Sequence, residues 1–418
     1  MYPVKRLAFA NSESTRVGRQ IPSGMMDLET ESSRDGAQVM GVGLFDAHCH
    51  PTDIMSAIEN INTMRAKALT IMATRSQDQD LVAQVASDYA LQSRLNSGET
   101  DSCKVIPAFG WHPWFSYQLY DDRNQTFANS FKTGEHYRRV LNPKPDDEEL
   151  VNNLPPSQSL SRFLEQTEER LRQHPFALVG EIGLDRAFRL PIADIEIPPN
   201  SKVDMGKSEG HYTPGAREGR PLSPYKVDME HQISILRAQL QLAGKLYRPV
   251  SVHCVQAYGV ILEILQDLWV GHERPSKRQQ KKDKSVEQAH AEENSDAEID
   301  AAIERITLPY PPRVCLHSYS GSVDLLKQFL NPRVPADFYF SFSTIINFST
   351  TSSEKVTEVI KALPDSRILI ESDYHCAGER MDEMLVDITR KICDIRGWSL
   401  TSGSERLKQN WNDFIFGK

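Results

Sequence analysis

The chain has 418 residues, with 48 Lys and Arg against 57 Asp and Glu and a formal net charge of −9 at pH 7. That balance excludes a protein that coats nucleic acid by bulk electrostatics, which needs a strongly basic surface, but not an enzyme whose metal ions supply local positive charge. A hydrophobic fraction of 39% with mean hydropathy −0.47 points to an ordinary core diluted by polar inserts, and no run approaches the roughly 20 apolar residues of a membrane span.

The N-terminus lacks the apolar centre of a secretory leader. Lys5, Arg6, Arg16 and Arg19 are interrupted by Glu13 without an amphipathic pattern, which argues against a mitochondrial address. The six cysteines form no C-x-x-C pair, and Cys49, Cys254 and Cys315 lie in or beside apolar runs. Such free-thiol usage fits a reducing compartment, so the expectation is an intracellular protein of cytoplasm, nucleus or both.

Residues 1–40 read as a flexible tail without periodicity, and the fold is expected over 41–418. Eight apolar, β-rich runs follow: Gly43 to His48, Ala68 to Ala73, Val105 to Phe109, Phe176 to Val179, Pro249 to Val252, Arg313 to Leu316, Phe338 to Phe342 and Arg367 to Ile370. Helical patterns lie between them at Ile54 to Lys67, Asp80 to Leu95, Leu160 to Gln173, Asp228 to Leu246, Ala257 to Trp269, Val323 to Leu330 and Ser353 to Leu363. In the fourth of these, Met229, Ile233, Leu236, Leu240 and Ala243 recur at helical spacing and Gly244 supplies a stop. Strand and helix in eightfold alternation predict a (β/α)8 TIM barrel with disordered or loop-rich insertions, with an open doubly wound sheet as the structural alternative. The inserts are placed near 116–156, 191–226 and 272–305; the last begins basic at Lys277-Arg278 and turns acidic towards Asp300.

In such a barrel the reactive face lies at the C-terminal strand ends. There the chain places His48 and His50 after the first run, which share a face because side chains alternate along a strand. Gly110-Trp111-His112-Pro113 ends the third, Gly180-Glu181-Ile182-Gly183-Leu184-Asp185-Arg186 the fourth and His253-Cys254 the fifth. His317-Ser318-Tyr319-Ser320-Gly321 ends the sixth and Glu371-Ser372-Asp373-Tyr374-His375 the eighth. Singly each has a bland reading: a satisfied core histidine, a Glu181–Arg186 pair, Asp373 as a helix cap. Jointly they bring imidazoles and carboxylates to equivalent ends of five strands, enough donors for two divalent ions. Two ions about 3.5–4 Å apart polarise a substrate oxygen, activate a water and stabilise a leaving oxygen. The implied reaction is hydrolysis. Histidine-rich ligation favours Zn or Mn over Mg, though the residues alone leave all three open.

The ordered set H-x-H, G-x-H-P, G-E-I-G-L-D, P-V-x-x-H, H-x-Y-S-G and E-S-D over residues 44 to 373, continued by Asn410 to Phe416, closely resembles the TatD family of metal-dependent deoxyribonucleases, a branch of the amidohydrolase-like barrels. Tyr319 stands in the family's Phe position and Ser372 in its Thr position. The resemblance implies His48, His50, Glu181, His253, His317 and Asp373 as metal ligands, with Glu181 bridging and Asp373 the general base. It implies His112 facing the substrate phosphate and Asp185 orienting neighbours. The implied activity is DNA phosphodiester hydrolysis, as a 3′-to-5′ exonuclease on single strands or 3′ ends. Val255 replaces the Arg usual two places after the fifth-strand His, leaving Arg186 or the Lys-rich insert as phosphate holders. Phe342-Ser343-Thr344 replaces the family's F-S-G and narrows substrate approach, and His375 either faces the site or bonds its loop. The long inserts resemble those of fungal members, some named as interactors of an anaphase-promoting-complex subunit. Two rival readings stay open: an amidohydrolase-type enzyme on a small substrate, and a catalytically weak scaffold whose inserts bind a protein partner.

Overall fold

β-branched and aromatic residues give eight strands: β1 (Phe45–Cys49), β2 (Ala68–Met72), β3 (Lys104–Phe109), β4 (Leu178–Asp185), β5 (Val250–Val255), β6 (Arg313–Leu316), β7 (Asp337–Phe342) and β8 (Ile368–Ile370). They belong to a computed structural model that describes residues 42–91, 103–123, 133–191, 222–276, 307–349 and 353–418. Each strand pairs in parallel with the next in sequence, so the order runs β1 to β8 without reversal. A doubly wound sheet needs such a reversal, and the (β/α)8 barrel is therefore the fold. The two edges meet just beyond their strands: the Asp373 N–H donates to the His48 carbonyl at 3.0 Å and the His50 N–H to the Tyr374 carbonyl at 2.8 Å.

The principal helices are α1 (Ser76–Asp88), α2 (Leu160–Gln173), α3 (Met229–Lys245), α4 (Tyr258–Trp269), α5 (Val323–Phe329), α6 (Ser353–Ala362), α7 (Glu379–Arg396) and α8 (Leu400–Phe416). The helix expected over Ile54 to Lys67 is instead a set of 3₁₀ turns over Pro51–Thr63, interrupted at Ile54 (φ −126°, ψ 77°). Pro51 withholds one N–H and fixes its φ, so the chain enters these turns directly behind His50. Helix α1 starts earlier than its pattern suggests because Asp78 accepts from the Thr74 and Arg75 amides at 3.0 and 2.9 Å and fixes the first turn.

Alternate strand residues Ala68, Ile106, Leu178, Cys315, Tyr339 and Leu369 form one inner cluster with Trp411, Phe414 and Ile415 of α8. Helix α8 thus seals the N-terminal end of the barrel, its last carbonyls taken by buried Arg313, whose Nε donates to Phe414 at 2.7 Å. Trp411, 1% exposed, also donates from Nε1 to Thr70 Oγ1 at 3.3 Å. The helices cover the outer face of the sheet through the larger cluster that includes Leu69, Val105, Val179, Val252 and Phe340.

The tail 1–40 and most of the inserts at 191–226 and 272–305 lie outside the described residues. The described part of 116–156 folds into short helices at Thr133–Val140 and Glu148–Asn153, and Leu141–Asn142 pairs antiparallel with Lys226–Val227. Asp147 caps the second helix by accepting from Glu149 and Leu150. Tyr137, Val140, Leu141, Val151 and Phe188 give this unit its own small core. Beside it His136 Nε2 donates to the Tyr117 carbonyl at 2.7 Å, and burial lowers its imidazole from 6.5 to about 4.

Two outcomes follow from this packing. Trp411→Ala should cost about 3–5 kcal/mol in denaturant unfolding, because it opens a cavity in the inner cluster. The His136 ring, followed by NMR, should remain neutral until about pH 4. An unfolded chain takes up that proton near 6.5, so the stability that His136 contributes is full above pH 6.5 and falls as pH drops towards 4.

Candidate metal centre

The C-terminal strand ends gather the polar residues that the apolar runs expose. On β1 the pairing with β2 shifts register between Asp46 and Cys49. Both His48 and His50 then turn their Nε2 atoms to the same point, 3.2 Å apart. β4 runs past its expected end at Val179, so Glu181 and Asp185 are strand residues: Glu181 sits where the pairing with β5 shifts register, between Val179 and Ile182, and Asp185 pairs with Val255. Gly183 makes that approach possible: at its φ of +154° a Cβ would collide with the His253 carbonyl.

Glu181 sits at the centre, 3% exposed. Its Oε2 lies 3.5 Å from His48 Nε2 and 3.4 Å from His50 Nε2. Its Oε1 lies 2.8 Å from His317 Nε2, 3.0 Å from His253 Nδ1 and 3.2 Å from His112 Nε2. Asp373 Oδ1 completes the first group at 3.6 Å from His50 Nε2 and 3.9 Å from His48 Nε2. The five other residues expected to be ligands therefore gather around the Glu181 carboxylate, whose two oxygens face different imidazole groups.

The ring orientations are set from behind. Ser251 Oγ lies 2.8 Å from His48 Nδ1. Asp185 Oδ2 lies 3.3 Å from His253 Nε2 and accepts from Trp114 Nε1 at 2.7 Å. Glu371 Oε1 lies 3.7 Å from His317 Nδ1 while accepting from the Ser318 amide at 2.9 Å and from the Ser318 hydroxyl; its Oε2 accepts from the Ser341 hydroxyl. Asp46 takes the Ser372 amide and hydroxyl at 3.1 and 2.5 Å, which anchors the loop carrying Asp373. Thr70, Ser251 and Ser341 are fully buried, a polar floor between the aromatic seal below and the histidines above.

Burial pushes the Glu181 carboxyl up, but His112, His317 and His48 outweigh it and hold the group well below the ordinary range. Asp373 is likewise held low against burial, by the His50 hydrogen bond and the charges of His317 and His48. Burial lowers His48, whereas in His50 burial is outweighed by Asp373 and Glu181 and the ring rises to about 9. Burial lowers His112 to about 4, so this ring is neutral. Its Nδ1 accepts from the Trp114 amide at 3.1 Å, which leaves the proton on Nε2, pointed at Glu181.

The donor set fits metal. Ligands about 2.0–2.2 Å from one ion in a tetrahedron stand about 3.3–3.6 Å apart, and the first group is separated by 3.2–3.9 Å. His253 Nδ1 and His317 Nε2, 3.3 Å apart, face Oε1 in the same way. Two imidazole nitrogens edge to edge are poor neighbours unless one is protonated or a cation lies between them.

Of the other expected site residues, His112 is buried against Glu181 and Asp185 lies behind His253. Arg186 is exposed on the rim, its amide bonded to the Val255 carbonyl at 3.2 Å. The ring of His375, half-buried, lies 4.6 Å from that of Tyr374. Buried Glu371, the first residue of the E-S-D motif but given no role by the sequence, stands behind His317.

The model of the TatD related DNase family matches residues 45–415. The chain is 38% identical over 373 residues to the Cut9-interacting protein scn1 of Schizosaccharomyces pombe, across 89% of this chain and 98% of that protein. It is 25% identical over 389 residues to an uncharacterized deoxyribonuclease of Saccharomyces cerevisiae, across 89% and 99%. Among solved structures it is similar to YJJV, a TatD homolog from Escherichia coli, at 16% identity and a TM-score of 0.48, across 90% of this chain and 98% of that one.

Ser251→Ala should weaken metal binding about 10–100-fold in calorimetric titration, because it releases the His48 ring, while the folded circular dichroism spectrum is kept. Unchanged affinity would remove Ser251 from the support of the site.

Proposed function

This chain belongs to the TatD related DNase family and is a metal-dependent hydrolase, and from that premise we propose that it cleaves DNA phosphodiester bonds with a pair of divalent ions, acting 3′ to 5′ on single strands or 3′ ends. The observation that carries this reading is the division of Glu181, with Oε2 turned to His48 and His50 and Oε1 to His253 and His317. In it His48, His50 and Asp373 would hold one ion and His253 and His317 the other, with Glu181 offering one oxygen to each. When bound, the ions supply Lewis-acid polarisation of a phosphoryl oxygen and a nucleophilic water at neutral pH.

The chain's own groups supply the rest. Asp373, ionised at neutral pH, takes the proton of the attacking water. His112 presents its Nε2–H towards Glu181 and the substrate phosphate. Asp185 fixes His253, and Arg186 on the rim meets the strand further out. Zn and Mn suit the histidine-rich set better than Mg. Among the described residues no helix is long and apolar enough to cross a membrane.

The name of the Schizosaccharomyces pombe relative favours a second reading, in which this chain also binds a protein partner. The insert 272–305 is the element proposed for that contact. Its deletion should abolish partner capture and leave hydrolysis intact; loss of both would reject the assignment.

The test of the hydrolase reading is cleavage of 3′-labelled single-stranded DNA after metal stripping and re-addition of Mg, Mn or Zn. Wild type should cut only with metal, and Glu181→Gln should lose at least about 100-fold, since a first-layer ligand matters more than its supports. Failure to cut with any ion, or a small amide substrate outcompeting DNA, rejects it.

A further inference from the structure

Arg75 leaves the end of β2 on the same face as the histidines. The two residues before it are tied to the centre: the Ala73 carbonyl accepts from the Glu181 amide at 3.0 Å and the Thr74 carbonyl from the His112 amide at 2.9 Å. The guanidinium lies over a fixed support, with Cζ 4.6 Å from the ring centroid of Phe115. Phe115 is 3% exposed, and its amide donates to the His112 carbonyl at 3.0 Å. The residue is half-buried, so part of it remains open to solvent.

Among the described residues no hydrogen bond takes up its guanidinium donors. Nε is buried without a hydrogen-bond partner. Asp78, the nearest acid in sequence, is committed to the first turn of α1 through Thr74 and the Arg75 amide. Asp53 is an electrostatic neighbour of both Arg75 and His50, but among the described residues no carboxylate makes an ion pair with this guanidinium. Several other arginines find acids, among them Arg170 with Asp80 and Arg367 with Asp337. A planar fork of donors, set over a fixed ring beside an acid-rich hydrolytic centre, matches two oxygens of one phosphate and costs stability while empty.

We propose that Arg75 holds a phosphate of the substrate strand beside the metal centre, presenting its fork to the non-bridging oxygens while Phe115 supports it. This assignment rests on the DNA phosphodiesterase reading. Arg75 touches the substrate and sets its register; the proton chemistry stays with Asp373.

The test is fluorescence anisotropy of a short labelled single strand carrying hydrolysis-resistant phosphorothioate linkages, with the full metal-loaded chain, over a series of salt concentrations. Wild type should bind with an affinity that falls with salt. Arg75→Met should bind about tenfold more weakly and lower the log–log salt slope by about 0.7, the share of one single-strand phosphate. Lys104→Met, at the opposite end of the barrel on β3, should match wild type. Arg75→Lys should keep the slope and bind more weakly, since a point charge replaces a fork; this variant carries the test if the Met variant does not fold. A slope and affinity unchanged in Arg75→Met, or an affinity unchanged in Arg75→Lys, overturns the role of Arg75 alone. Absence of binding by wild type overturns it together with the nuclease reading.

Discussion

One buried carboxylate, Glu181, has five imidazoles within 3.5 Å of its two oxygens, and the rest of the structure is arranged to permit this. Removing so many ionisable groups from water is costly unless each is paired. The solution is reciprocal: the imidazoles hold Glu181 ionised against burial, and Glu181 in turn raises His50 and His317. A carboxylate with opposed histidine groups on its two oxygens is also a donor pattern that suits metal.

That cluster needs a rigid frame, and the barrel supplies it in layers. Trp411 and Phe414 seal one end, Thr70, Ser251 and Ser341 form a small polar floor, and the histidines stand above it. The floor is more than filler. Ser251 meets His48 and Ser341 meets Glu371, which lies behind His317, so packing below is converted into ring orientation above. The seam between β8 and β1 runs through the site: Asp46 holds Ser372, and the His48 carbonyl takes the Asp373 amide. Closing the barrel and placing Asp373 are the same act. Asp373 and Ser318 adopt positive φ of 50° and 42° just past their strands, a backbone conformation usual at functional sites.

Much of this was legible in the residues. The apolar runs located all eight strands, since buried parallel strands read as continuous β-branched and aromatic stretches. His48 and His50 share a face by strand periodicity, and Glu181, His253, His317 and Asp373 each follow such a run. What the pattern missed has physical causes. The fourth apolar run stops at Val179, where Gly180 interrupts it, yet the strand continues through Asp185, and Gly183 is there because β5 passes too close for a side chain. The turns after His50 mimic a helix in composition, but Pro51 and the kink at Ile54 break it. Helices α7 and α8 follow the last strand, and their apolar spacing was not separated from the tail of the fold. Arg75 carries no motif; its significance appears only when Phe115 is found beneath it.

The most direct test of the bridging role of Glu181 is anomalous diffraction from crystals of the metal-loaded chain, collected at the edge of the bound ion. The account predicts two peaks on opposite sides of the Glu181 carboxylate, one among His48, His50 and Asp373 and the other between His253 and His317. A single peak at saturating metal, or two peaks that leave Glu181 uncoordinated, would contradict it.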